Sequence, residues 1–265
     1  LMPWLLGTAL FHSLITVEKK KSLQSWVLLL AILSFLLSII GTFLVRSGIL
    51  TSVHTFALAP TRGIYILAFI FILGGYALLL FTVKSKKFLS EQYFSFFSRE
   101  GAILTINIIM VIVCASIFFG TTYPLFVEIF TNKRISVGEP YFNSTVIPII
   151  MPAILIMGIG PLLSWNNIDN KQALIKISPG FYLTITIVVI FFIIYRSYNI
   201  PGLIGIALSA WIISIVIVTL FFNIKNQTKN KFTFTNTLKH INGMIIAHLG
   251  VGLLILGITG SSIWQ

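Results

Sequence analysis

Long apolar stretches alternate with short polar breaks along the whole chain. Eight apolar runs cover roughly 1–17, 25–45, 64–83, 102–123, 146–165, 180–196, 203–222 and 241–263. A helix crosses the hydrocarbon core with about 20 mostly apolar residues, and backbone polar groups there must pair within their own segment. The pattern therefore predicts an all-α, polytopic transmembrane helical bundle of about eight spans, read as a single transmembrane domain over residues 1–265. The first run is short, which suggests truncation.

The polar breaks fix an orientation. Lys19, Lys20 and Lys21 follow the first run, and Lys84, Lys86, Lys87 and Arg99 follow the third. Lys171 and Lys176 follow the fifth, and Lys225, Lys229, Lys231 and Lys239 follow the seventh. These thirteen basic residues fall on one side, against five (Arg46, Arg62, Lys133, Arg134 and Arg196) on the other. By the positive-inside rule the loops 18–24, 84–100, 166–178 and 223–240 are expected in the cytoplasm. The stretch around His54 and the long loop 128–145 are then expected to face outward.

Composition agrees with the pattern. Of 265 residues 57% are hydrophobic and 9% charged, with mean hydropathy +1.01. Soluble domains carry about 25% charged residues. The net charge of +12 would suggest nucleic acid in a soluble protein. Here it reads as loop topology, so no nucleic-acid partner is expected and lipid is. The lone Cys114 can form no intrachain disulfide and reads as a small buried hydrophobe. The chain opens inside an apolar run without a charged n-region and closes just past a helix. It is read as a piece of a longer chain, cut at both ends.

Soluble-enzyme motifs are absent, including GxGxxG, GxxxxGK[ST], HExxH and GxSxG. Glu18, Glu91, Glu100, Glu128, Glu139 and Asp169 all fall in or beside loops. That weighs against an ion-driven transporter, which usually places a carboxylate at membrane depth. A haem or small-molecule transporter and a non-catalytic assembly scaffold remain as alternatives.

Chemistry then narrows to four histidines. His240 lies beside Lys239 in a polar loop and reads as solvated. His12 and His248 lie inside apolar runs, where an ionisable side chain is costly and usually functional. His12 precedes Lys19 by seven residues, and His248 follows Ile241 by seven. At 1.5 Å per residue each lies about 10 Å from the inner edge. Two readings stay open. The pair packs helices, each ring bonded to a nearby hydroxyl or carbonyl such as Ser13 or Thr259 could supply, or it ligates a metal. Zinc would want further Cys or carboxylate ligands, whereas haem iron is satisfied by axial side chains. His54 sits between Arg46 and Arg62, with Trp4 and Phe56 as aromatic neighbours in sequence. Guanidinium groups pair bidentately with carboxylates, so an anionic aromatic ligand such as haem, with two propionates, suits that stretch.

Five blocks carry a resemblance. "MPWLLGTALFHS" (2–13), "GTFLVRSGILTSVHTFA" (41–57), "SREGAILTIN" (98–107), "ISVGEPYFN" (135–143) and "GMIIAHLGVG" (243–252) resemble, in family order, the CcmF/NrfE haem lyases. These belong to the WWD-type haem-handling membrane proteins. The resemblance implies that His54 is an axial ligand of a haem held transiently at the external WWD surface, with Arg46 and Arg62 as propionate candidates. It implies that His12 and His248 hold a transmembrane, bis-His haem b, and it gives His240 no role. It further implies a haem lyase, or holocytochrome c synthetase, component in a bacterial inner membrane. Such a component accepts haem from a haem chaperone and works with other maturation subunits. It joins haem to the CxxCH thiols of apocytochrome c, and quinol is a possible electron source. Two departures stand out. The WWD segment and the first external histidine, expected upstream of "LMPWL", are missing, and Ala59 precedes Pro60 where the family usually has an acidic residue. A fragment without its upstream helices is expected to be inactive alone.

Overall fold

The computed structural model describes residues 1–46, 60–88, 95, 97–133, 135–165, 170–195, 199–227 and 242–263. His54 and His240, with Phe56 and Ala59, lie outside the described residues. Every regular element among those described is helical. Among the described residues seven helical passes are long and apolar enough to cross a membrane. The eighth is the more polar first helix, which carries Thr8, His12, Ser13, Thr16 and Glu18. The protein is thus a multi-pass helical membrane protein. Its chain separates into two compact units, residues 1–94 with 103–153 and residues 95–102 with 154–265.

In the first unit, helix α1 runs Met2–Lys20. It places Lys19 and Lys20 in its last turn, where the helix dipole favours cations. Lys21, in the left-handed region at φ 54°, closes it and donates its N–H to Val17 O. Helix α2 (Gln24–Arg46) returns alongside, and Ser34 Oγ donates to Pro3 O at 3.2 Å. The third pass is composite: α3 (Pro60–Phe69), one π-helical turn (Ile70–Gly74) and α4 (Gly75–Lys84). Gly74 lies against Leu36 so closely that a Cβ there would come within 2.7 Å of Leu36 Cδ2. Helices α5 (Arg99–Thr131) and α6 (Glu139–Ile159) contribute most of their length to this unit. The core joins Leu5, Leu6 and Ala9 of α1 to Leu30 of α2 and to Val113, Cys114 and Ile117 of α5.

In the second unit, helices α7 (Asn170–Tyr195), α8 (Ile200–Gln227) and α9 (Gly243–Ile263) pack with the end of α6. Asparagine caps start the last two. Asn199 Oδ1 accepts the Gly202 N–H and Asn242 Oδ1 the Ile245 N–H, both at 3.1 Å. Helix α8 is the centre. Trp211, Ile212, Ile215, Val216 and Val218 are buried with Leu162 and Ile245. Helix α9 buries Ile245, Gly252 and Thr259, seven residues apart, and exposes Ile246, Leu253 and Leu254.

The runs and the helices differ at their ends. The 128–145 stretch is mostly helical: α5 continues to Thr131, Asn132 at φ 53° ends it, and α6 starts at Glu139. Likewise α7 begins at Asn170, ten residues before its apolar run. Hydropathy marks the hydrocarbon depth, while a helix continues into polar surroundings until a cap stops it. Pro124, Pro148, Pro152 and Pro179 lie inside helices, as membrane-spanning helices tolerate.

Candidate functional site

His12 sits half-buried in the first unit, on the middle of α1. Its Nδ1 lies 2.8 Å from Thr8 O, one turn back. A carbonyl only accepts, so Nδ1 carries a proton, and in the neutral form of the ring the lone pair lies on Nε2. The ring meets Phe11 edge-on, with centroids 6.1 Å apart.

His248 repeats this arrangement in the second unit. It is half-buried, and its Nδ1 lies 2.8 Å from Met244 O, again one turn back. It lines a small, largely apolar cleft with Met157, Gly158, Pro161, Thr219 and Met244. The ring acceptors are therefore backbone carbonyls. Ser13 and Thr259, the sequence candidates, bond instead to Ala9 O and Ile255 O, at 2.9 and 2.8 Å. His12 belongs to the first unit and His248 to the second.

Among the described residues no three His, Cys, Asp or Glu side chains gather into a metal cage. What each histidine offers within its own unit is a single imidazole whose Nδ1 is held by a hydrogen bond to the carbonyl four residues back. That is how metal-ligating histidines are oriented, with the far N–H fixed by a carbonyl or carboxylate. Each imidazole taken by itself is of the kind that can serve as an axial ligand of haem iron.

Arg46 ends α2 and Arg62 lies in the first turn of α3; both are exposed. Below them an open groove between the two helices is lined by Ser38, Ile39, Thr42, Tyr65, Ile66 and Phe69. Ser38, Thr42 and Arg46 repeat every four residues along α2. Arg62, Tyr65, Ile66 and Phe69 share one stripe of α3 by the same helical periodicity. Each arginine thus continues a row of groove residues.

Two polar residues gained no role from sequence reasoning. Arg99 counted there only as loop charge. It is a clamp at the start of α5: its backbone N–H donates to Ser164 O at 3.0 Å, its Nη2 donates to Pro161 O at 2.5 Å, and its guanidinium lies 5.3 Å over the Trp165 ring. Ser98 caps the same turn by accepting the Gly101 N–H at 3.1 Å. An arginine in a first helical turn opposes the helix dipole, and that local conflict is the signal of another partner. Asn107, fully buried on α5, donates from Nδ2 to Ser13 Oγ at 2.7 Å. Its signal is an amide side chain inside an apolar run.

No family profile matches the chain. Similarity to individual proteins is extensive. The cytochrome c-type biogenesis protein CcmF of Pseudomonas aeruginosa is 36% identical over 264 residues, covering 98% of this chain and 40% of that protein. CcmF of Escherichia coli K12 is 36% identical, covering 98% and 39%. NrfE of Haemophilus influenzae is 35% identical, covering 97% and 39%. Among solved structures, one titled cytochrome c heme lyase CcmF superposes with a TM-score of 0.70 at 23% identity, over 98% of this chain and 38% of that one. That superposition supports the helical fold. The chain spans about 40% of the length of the curated relatives it matches.

Proposed function

The chain belongs to the CcmF/CycK/NrfE family of cytochrome c biogenesis proteins, and we propose that it forms haem-ligating transmembrane segments of a haem lyase component. One observation carries the reading. His12 and His248, both inside apolar helices, each donate Nδ1–H to the carbonyl four residues back at 2.8 Å. Hydrogen bonding at Nδ1 fixes the tautomer and raises the basicity of the other nitrogen. A haem b, when bound, would be held by His12 and His248 and would supply one-electron transfer.

The residues divide the work by position. His12 and His248 bind iron from helices whose apolar surroundings exclude water. At the outer face His54 would hold the iron of a second, transiently bound haem, and Arg46 and Arg62 would anchor its propionates through their planar, bidentate guanidinium groups. The groove below the arginines offers aromatic surface from Tyr65 and Phe69 and hydroxyls from Ser38 and Thr42. The whole protein accepts haem from a haem chaperone, works with other maturation subunits in a bacterial inner membrane and acts on apocytochrome c CxxCH. Quinol is the proposed electron donor to the inner haem.

The absorption spectrum of the purified full-length protein tests the reading. His12→Ala and His248→Ala should each abolish the low-spin b-type bands, while His240→Ala leaves them intact. His54→Ala should lower bound haem and holocytochrome c yield together. A variant lacking both His12 and His248 that keeps a full bis-histidine spectrum would end the inner-haem assignment.

A further inference from the structure

The Asn107–Ser13 bridge is the cross-helix polar contact nearest to His12 in sequence. Both residues are 0% exposed, within an otherwise apolar core of Leu5, Leu6, Ala9, Val113 and Cys114. The hydrogen bonds form a relay. Asn107 Nδ2 donates to Ser13 Oγ at 2.7 Å, and Ser13 Oγ donates to Ala9 O at 2.9 Å. In the adjoining register His12 Nδ1 donates to Thr8 O at 2.8 Å. Consecutive side chains, 12 and 13, thus bond to consecutive carbonyls, 8 and 9.

Stability alone does not explain the amide. Asn107 Oδ1 is buried and takes no hydrogen bond among the described residues. A buried polar atom left unsatisfied is costly, and native structures contain few. An apolar residue would fill the position without that cost. Buried polar groups are best attested as devices that fix register between helices. Register matters here because α1 carries a proposed ligand. Sliding α1 by one turn along α5 would displace His12 by about 5.4 Å, and rotating it by one residue would swing the ring by about 100°. Hydrophobic contacts between Leu, Ala and Val tolerate such slips far better than a paired amide and hydroxyl do.

We propose that Asn107 is a positioning residue for haem ligation: through Ser13 it sets the rotation and depth of α1 and thereby aims His12 Nε2 at the iron. The proposal rests on the reading of His12 as a haem ligand, and its test keeps the two apart. The readouts are thermal unfolding of the full-length protein, haem content per polypeptide and the low-spin EPR spectrum, whose anisotropy follows the angle between the two imidazole planes.

Ser13→Ala alone strands the buried amide and should lower the unfolding temperature; Asn107→Leu alone leaves Ser13 its bond to Ala9 O and should lower it less. The double variant removes both partners, which can be nearly neutral for stability. In that double variant the unfolding temperature should return close to the wild-type value. The EPR signal should stay shifted or broadened and haem content should stay reduced several-fold, because the register key is gone. Ser13→Thr, which keeps the hydroxyl, should restore the wild-type signal. Recovery of EPR signal and haem content together with stability in the double variant would overturn the proposal, leaving the bridge merely structural. An unshifted EPR signal in Asn107→Leu would do the same. His12→Ala, measured alongside, reports on the premise. If it retains the bis-histidine signal, the ligand assignment fails. If it abolishes the signal while the Asn107 variants leave theirs unshifted, the positioning role alone fails.

Discussion

Helices α1 and α9 hold their histidine rings in the same way and hold themselves in different ways. Each ring donates Nδ1–H to the i−4 carbonyl at 2.8 Å. Helix α1 is tied to its unit by directional bonds. Asn107 reaches Ser13, Ser34 reaches Pro3 O, and Cys114 Sγ lies 3.8 Å from Met2 O. Helix α9 is tied by close approach. A Cβ on Gly205 of α8 would collide with the Thr259 side chain, one on Gly252 would come within 2.9 Å of Ile213 Cγ1, and Ser209 Oγ donates to Gly252 O at 2.8 Å. Lipid gives no hydrophobic drive to helix pairing, so a membrane bundle relies on shape, on small residues and on hydrogen bonds. The two helices emphasise different members of that set. Their vulnerabilities should therefore differ: added volume breaks α9, and lost polarity breaks α1.

The largest effect is expected from Gly205→Val. Overpacking of a close contact costs about 1–3 kcal/mol or more. Hydrogen exchange on the full-length protein should lose protection over 200–227 and 243–263 while 2–20 stays protected; protection lost first in α1 would refute the division. Gly158→Ala comes next. Its Cβ would run into the Trp211 indole, whose Nε1 donates to Leu155 O at 3.1 Å. Overpacking together with the disturbed bond should cost roughly 1–3 kcal/mol, read as a lower unfolding temperature. For α1 the matching change is Ser13→Ala, which adds no volume but strands the Asn107 amide. Destabilisation of about 1–3 kcal/mol, with exchange faster in 2–20 and unchanged in 243–263, is the expected outcome. Ser209→Ala should cost only about 0.6 kcal/mol, the average for interhelical side-chain bonds in membranes. Smallest of all, Gly257→Ala meets nothing within 4 Å and should cost nothing. It should stabilise α9 by at most about 1 kcal/mol through the entropy that glycine forfeits. A clear loss there would mean that the outer face of α9 is covered.

How far each helix extends shows why the sequence was legible unevenly. The run 25–45 became Gln24–Arg46, with those two polar residues at its ends, and 241–263 became Gly243–Ile263, whose start is capped by Asn242. The run 180–196 became Asn170–Tyr195, because Lys171 and Lys176 continue a helix beyond the hydrocarbon. The π-helical turn at Ile70–Gly74 has no hydropathy signature at all, since it changes the hydrogen-bond partner and not the residue type. His12 and His248 were visible because an imidazole in an apolar run is costly. The acceptors of their rings were not visible, since every residue has a carbonyl.

What the sequence determined by itself is the class of the molecule and its candidate chemistry. Runs of about 20 apolar residues allow only helices in lipid, and histidines, arginines and the motif blocks stand out against that background residue by residue. Which polar groups meet follows from the packed helices alone: Asn107 with Ser13, Arg99 with Pro161 and Trp165, Ser209 with Gly252. Those pairs are 94, 62 or 66, and 43 residues apart. Hydropathy is a property of each segment alone, and it is nearly blind to rotation about the helix axis when every face is apolar. Rotation and register are set by packing against other helices, so the partners of a buried side chain exist only once those helices are in place.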